Sequence, residues 1–257
     1  MSSALSWLCD MDGVLIDDGR MVPGADAFLD RLRECGRAFL VLTNNAFFTP
    51  KALHSRLTDM GLTLEEDQIW TAALATAQFV HDQRPHGSAF VIGEASVHEA
   101  LAKIGYIENA IDPDYVVLGE TWDYSREQIT TATRLISRGC KFVATNPETN
   151  GSGPEGLEPG TGAIAALIQS VTGVRPYFVG KPNPVMIRDA LNIVGAHSQS
   201  TVMVGDRMDT DVRAGVEAGV ETVLVLSGFT KREDIDNYIC QPSRVVNSIA
   251  DLISEVA

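Results

Sequence analysis

Short apolar runs recur along the chain, and each ends in a turn or a polar residue: "SWLCDMDG", "FLVLTNN", "SAFVIGE", "DYVVLGE", "KFVATNP", "YFVGKP", "TVMVGD" and "TVLVLSG". Stretches with helical spacing lie between most of them, among them "GADAFLDRLREC", "PKALHSRLTDMG", "REQITTATRLISRG", "PVMIRDALNIVG" and "DVRAGVEAG". Continuous Val, Ile and Leu runs of this length suit strands buried on both faces, and alternation with helices makes the sheet parallel. The fold class expected is therefore α/β. "FVIGE" and "VVLGE" are similar strand-to-helix openings 26 residues apart, which suggests a small duplicated α/β unit in mid-chain. With 257 residues, one large domain or two modest ones can each bury a core.

The net charge of −14 excludes some partners. A surface of that sign repels phosphate polymers and anionic membranes, so neither is an expected partner. A small anionic substrate is compatible with it, provided a bound cation reverses the local field. Cys9, Cys35, Cys140 and Cys240 are scattered without a CxxC pair, which reads as inert reduced thiols. The opening "MSSALSW" has no basic region and no stretch approaches a membrane span, so a cytoplasmic location is expected.

One motif misleads. Gly151, Gly153 and Gly156 spell G-x-G-x-x-G, but a dinucleotide fingerprint must follow its strand at once and open a helix directly. Here five residues separate Thr145 from Gly151, Pro154 interrupts, and helical spacing resumes only near Thr161. Residues 146–162 are expected to form a flexible loop.

Four polar clusters stand at the ends of apolar runs: Asp10 with Asp12, Thr43-Asn44-Asn45, Gly180-Lys181-Pro182, and Gly205-Asp206-Arg207 with Asp209 and Asp211. Parallel strands present their carboxyl ends on one edge of a sheet, so distant segments can supply one pocket. Carboxylates inside an apolar strand need a partner to replace water. A hard cation, expected to be Mg²⁺, would supply one, with Asp10, Asp206 and the Asp12 carbonyl as donors. One Asp then remains as a nucleophile, and a second serves as proton donor and acceptor. Thr43 and the N–H groups after it would hold a phosphoryl group, and Lys181 would neutralise its developing charge. Taken singly, each cluster also reads as a strand end, a solvated loop or a capped helix start. Their joint order is what points to phosphoryl transfer.

"DMDGVL", "LTNN", "VGKP" and "VGDRMDTD" resemble the four motifs of the haloacid dehalogenase superfamily of phosphatases. "LCDMDGVLIDDGRMVPGA", "VIGE", "VVLGET", "ATNPET" and "LVLSG" extend the resemblance over the chain to its NagD-like branch. A receiver domain uses similar Asp/Thr/Lys chemistry in a chain about half as long, and the order and spacing here argue against it. The resemblance implies a Rossmann-like parallel-sheet core carrying an inserted smaller α/β cap. The core is expected over residues 1–81 and 179–257 and the cap over 82–178.

The same resemblance implies roles. Asp10 corresponds to the nucleophile and a metal ligand, and Asp12 to the acid/base that also offers its carbonyl to Mg²⁺. Thr43 corresponds to the phosphate-binding hydroxyl, with Asn44 beside it, and Lys181 to the lysine bridging nucleophile and phosphate. Asp206 corresponds to a direct metal ligand, and Asp211 to an outer-shell or water-mediated one. A cap over the cleft would exclude bulk water and choose the leaving group, with Asn146, Glu148 and Asn150 as candidate selectors. The expected activity is Mg²⁺-dependent phosphomonoester hydrolysis through an aspartyl-phosphate. Nucleoside monophosphates such as UMP are the expected substrates, and sugar phosphates the alternative. A non-catalytic phosphate-binding regulator is the rival reading, against which Asp10 and Asp12 together argue. The exposed cap surface could support a homo-oligomer.

Overall fold

Ser6 to Asp10 are buried without a break, as a strand covered on both faces requires. In the computed structural model of the chain, which describes residues 6–153 and 156–256, these residues form β1 (Ser6–Asp10). The antiparallel pair β2 (Ile16–Asp17) and β3 (Arg20–Met21) follows, then α1 (Ala25–Glu34) and β4 (Ala38–Thr43). Next come α2 (Pro50–Asp59), β5 (Ile69–Thr71) and α3 (Ala72–Gln83). The middle of the chain gives β6 (Ser88–Ile92), α4 (Ala95–Lys103), β7 (Ile107–Glu108), β8 (Tyr115–Leu118), α5 (Arg126–Ser137) and β9 (Lys141–Ala144). It continues with β10 (Asn150–Gly153), β11 (Gly156–Pro159), α6 (Thr161–Thr172) and β12 (Tyr177–Phe178). The last third holds α7 (Pro184–Val194), β13 (Thr201–Gly205), α8 (Arg213–Ala218), β14 (Glu221–Val225) and β15 (Arg244–Val246). Every apolar run named above supplies a strand, and each quoted amphipathic stretch a helix.

Two compact units result. The first comprises Met1–Thr43, Pro50–Trp70 and Lys181–Ala257, and the second Asn44–Thr49 and Thr71–Gly180. In the first, six strands stand in the order β15-β14-β13-β1-β4-β5. β1 runs parallel to β13, from Ser6 opposite Thr201 to Cys9 opposite Val204, and parallel to β4, from Ser6 opposite Ala38 to Asp10 opposite Leu42. The strand order reverses direction between β1 and β13, and open parallel sheets bind ligands at such a point. Leu8, Phe28, Leu32, Leu40 and Leu42 fill the adjoining core, with the Trp7 ring edge-on to Phe28 at 5.3 Å. α7 is well delimited: Asn183 Oδ1 accepts from Val185 N at 3.0 Å, Pro184 opens the helix, and Gly195 closes it at φ 64°.

The second unit has its own sheet, in the order β12-β9-β8-β6-β7. Its core gathers Ile92, Val116, Leu118, Leu135, Ile136, Phe142 and Ile168. The two similar openings lie side by side, Phe90 opposite Val116 and Ile92 opposite Leu118. Their sequels differ, since α4 starts at Ala95 whereas a loop precedes α5, which Ser125 and Gln128 cap reciprocally.

Two expectations differ from what is seen. The second unit takes in all of α3, whereas the expected cap began at residue 82. The Tyr106 hydroxyl donates to the carbonyls of Val80 (2.8 Å) and Arg84 (2.7 Å), which ties the end of α3 to this unit. Residues 146–162, expected as a flexible loop, carry the antiparallel ladder β10–β11, with Asn150 opposite Pro159 and Gly153 opposite Gly156. Among the described residues no helix is long and apolar enough to cross a membrane.

Candidate active site

The carboxyl ends of β1 and β13 set the site within the first unit. Asp10 closes β1, and the chain turns at once: Gly13 N donates to Ile16 O at 2.7 Å and Leu15 N to Met11 O at 2.9 Å. Gly13 takes φ +76°, and a Cβ there would stand 2.2 Å from Asp206 Oδ2. A Cβ on Gly228 would meet the same oxygen at 2.2 Å. Ser227 Oγ donates to Gly13 O at 2.7 Å and Phe229 N to Asp206 Oδ2 at 2.7 Å, so the loop after β14 grips both. Asp206 therefore lies in a slot that only glycines on either side leave open.

After β13 the chain makes a π-helical turn over Met208–Val212, a local form that recurs at functional sites. It brings Asp211 back under Gly205, where a Cβ would stand 2.1 Å from Asp211 Cβ. Asp211 Oδ2 accepts from Arg207 N at 3.1 Å. The Arg207 guanidinium pairs with Asp209 at 2.9 Å and lies 4.2 Å from the centre of the exposed Phe229 ring.

Lys181 joins the cluster. Its ammonium donates to Asp10 Oδ1 at 2.6 Å and to Leu42 O at 3.1 Å, and pairs with Asp211 Oδ1 at 2.7 Å. The side chain is buried. Burial works against its charge, but the Asp10 and Asp211 carboxylates outweigh burial and hold its pKa above the ordinary value. Burial and then Asp211 push Asp10 well above the carboxylate range, with Lys181 opposing. Burial and Asp211 likewise push Asp206 up to about 7, against the Phe229 N–H. One lysine does not balance this much buried negative charge.

Asp10, Asp206 and Asp211 each bring a carboxylate oxygen within 4.8 Å of the others, and Asp206 Oδ1 is buried without a hydrogen-bond partner. A hard divalent cation fits this donor set, because it accepts carboxylate oxygen and supplies the missing charge. Asp12, expected to serve the metal through its carbonyl, adds no carboxylate to the group; it is exposed just past Asp10. Thr43 is buried at the end of β4. Asn44, the next residue, belongs to the second unit, where its Nδ2 donates to Glu148 Oε1 at 2.9 Å. Asn150 is exposed on β10. Asn146, expected as a selector, is fully buried and bonds to the protein through both ends of its amide.

Sequence reasoning passed over Gly13, Gly228, Ser227 and Glu120. "LVLSG" held part of the signal, but a glycine's need for close approach shows only once its neighbour is placed. Cys9 beside Asp10 is an inert thiol, pushed up to about 12 by burial and then by Asp10.

Two family profiles match the chain, one described as haloacid dehalogenase-like hydrolase over residues 7–107 and one as HAD-hydrolase-like over residues 178–252. The dihydroxyacetone phosphatase of Corynebacterium glutamicum (strain R) is 52% identical, over 98% of this chain and 92% of that protein. The acid sugar phosphatase of Staphylococcus aureus (strain USA300) is 33% identical over 100% and 99%. Among solved structures, NagD from Escherichia coli K-12 superposes with a TM-score of 0.91 at 39% identity, covering 97% of this chain and 98% of that one. The chain belongs to the haloacid dehalogenase superfamily, and within it to the phosphatases of the NagD-like branch, which act on small phosphorylated metabolites.

Proposed function

We propose that the chain is a Mg²⁺-dependent phosphatase of small sugar and triose phosphates, working through an aspartyl-phosphate on Asp10. The buried Asp10 held by Lys181 beside the unpaired Asp206 oxygen carries the chemical part of this reading. The 52% identity to a dihydroxyacetone phosphatase supports the substrate class. Nucleoside monophosphates such as UMP, the first expectation from sequence, have weaker support, since identity to the NagD structure is 39%.

Lys181 grips Asp10 Oδ1, which fixes the carboxylate's rotation and aims its other oxygen. That oxygen attacks phosphorus, and the bond to the leaving alkoxide breaks as Asp12 gives it a proton. Asp12 then takes a proton from water, and the hydroxide displaces Asp10 to release inorganic phosphate. Thr43 Oγ1 and the N–H groups after it hold the phosphoryl oxygens, and Lys181 offsets the charge that grows on them. A divalent cation on Asp10, Asp206 and the Asp12 carbonyl, with Asp211 assisting directly or through water, would add positive charge at the phosphoryl group. The second unit is proposed as the selector of the leaving group, with Glu148 and Asn150 as its candidate contacts.

Phosphate release across triose, hexose and nucleoside monophosphates, with Mg²⁺ and with excess chelator, tests the whole reading. Triose or sugar phosphates should give the highest kcat/KM, and chelation should abolish turnover. A preference for UMP would move the substrate to nucleotides, and full activity in chelator would remove the metal.

A further inference from the structure

Asn146 lies at the centre of a hydrogen-bonded cluster inside the second unit, and the mechanism above gives no role to Asn146 or to Glu120 beside it. Its Nδ2 donates to Asn44 O at 3.0 Å and to Glu120 Oε1 at 3.1 Å, while its Oδ1 accepts from Glu148 N at 3.1 Å. Glu120 completes the hold by accepting from Ala46 N at 2.9 Å through its other oxygen. The Ser96 hydroxyl donates to Ala46 O. Gly180 N donates to Thr145 O at 2.7 Å, and a Cβ on Gly180 would stand 2.7 Å from Asn44 Oδ1. The segment so held, Asn44–Ala46, directly follows Thr43, and Gly180 directly precedes Lys181.

We propose that Asn146 and Glu120 are positioning residues of the phosphatase reaction: they fix the main chain of Asn44–Ala46 and thereby set Thr43 and the N–H groups that receive the phosphoryl oxygens. The inference rests on the phosphate-binding role given to that segment above. The chemistry suits it. A carboxamide has two N–H donors and one acceptor, and here it spends both kinds, so Asn146 has no donor left to read a leaving group. A carboxylate accepting from a main-chain N–H with one oxygen and from an amide with the other defines the orientation of both partners. Small misplacements of a positioning group can lower a rate about a hundredfold.

The test compares Asn146→Ala, Glu120→Ala and Glu120→Gln with the wild type. Glu120→Gln keeps an oxygen for Ala46 N and loses only the fit to Asn146, so it should recover much of what Glu120→Ala loses. Asn146→Ala should lower kcat/KM about ten- to a hundredfold for a triose phosphate, UMP and p-nitrophenyl phosphate alike. The ratios among the three should stay within about twofold. Inorganic phosphate, titrated by calorimetry in the presence of Mg²⁺, should bind the variant more weakly. Half-saturating Mg²⁺ should not move, because Asp10, Asp206 and Asp211 belong to the first unit. Should Asn146→Ala fail to fold, the two Glu120 variants carry the same expectations. Shifted ratios with unchanged phosphate binding would overturn the inference and make Asn146 a reader of the leaving group. Wild-type rates and phosphate binding in all three variants would overturn it as well. Failure of the wild type to hydrolyse any monoester would instead strike the functional reading, while the phosphate titration still judges Asn146 and Glu120.

Discussion

Asp10 and Asp12 are two residues apart and are predicted to fail differently. Asp10→Asn removes the proposed nucleophile, so no phosphorylated protein should be trapped and turnover should vanish. Asp12→Asn should slow turnover by about 10²–10⁴, with a smaller loss in the first step for nitrophenyl phosphate, whose leaving group needs little protonation. Stopped-flow release of nitrophenolate and phosphate separates the steps, and near wild-type rates in both variants would defeat the mechanism. The raised carboxylates also imply a pH dependence. Asp206 is pushed from an ordinary 3.8 to about 7, so between those values the folded metal-free protein holds a proton the unfolded chain has released. The stabilisation is full below the ordinary value and is lost as pH rises towards 7. The metal-free protein should melt higher at acid than at alkaline pH, Mg²⁺ should raise the melting point more at alkaline pH, and Asp206→Asn should flatten both trends. Thermal melts with and without chelator check this. That Asp10, Lys181 and Asp206 meet was legible because each ends or closely follows a run too apolar to tolerate a polar residue without purpose. Glu120 was not, since it closes "VVLGE" just as Glu94 closes "FVIGE", and only the fold gives one of them Asn146 and Ala46 as partners.

Strands and helices emerged from sequence wherever their period was strong, and escaped where glycine or alanine weakened it. The β10–β11 pair contains Gly151, Gly153 and Gly156, which have no side chains to alternate, so its composition reads as a loop. α3 follows β5 without a break and is rich in alanine, so neither a turn nor a polar face announced where the second unit begins. The turn after β1 offers a test with its own control. Gly13 and Gly19 both have φ above +70°, but a Cβ at Gly19 meets nothing within 4 Å. Either change to alanine should cost on the order of 1–3 kcal/mol from backbone strain. Only Gly13→Ala drives an atom into Asp206, so it alone should raise half-saturating Mg²⁺ and lower kcat. Equal activity losses in the two variants would refute this account of the slot. On the hairpin, Asn150→Ala should change the kcat/KM ratio of sugar phosphate to UMP several-fold if its exposed amide meets the leaving group, the size of one lost neutral hydrogen bond. Steady-state kinetics on both substrates decides it.

At the scale of the molecule, the parallel α/β class was readable from the alternation of elements, and the interruption of one unit by another came from the family resemblance. The division itself was displaced to Thr71 and Gly180, and Asn44–Thr49 crossed to the second unit, because hydrogen bonds between segments far apart in sequence decide membership. The same interruption imposes a timetable on synthesis. β1 is made first, yet its pairing with β13 joins Ser6 to Thr201, so one side of the strand waits until most of the chain has left the ribosome. The second unit suffers no such delay, since β6, β8 and β9 are near neighbours in sequence and their ladders close over connections of 22 residues, 93–114 and 119–140. The insert should thus be the first part to acquire protected amides, and β1 with β13 the last. Pulsed hydrogen exchange during refolding should show Val116 and Val143 protected before Leu8 and Val204, and the reverse order would contradict it. Until β13 arrives, an apolar strand ending in Asp10 keeps one edge open to other nascent chains, which makes the interval before completion the protein's period of greatest exposure to aggregation.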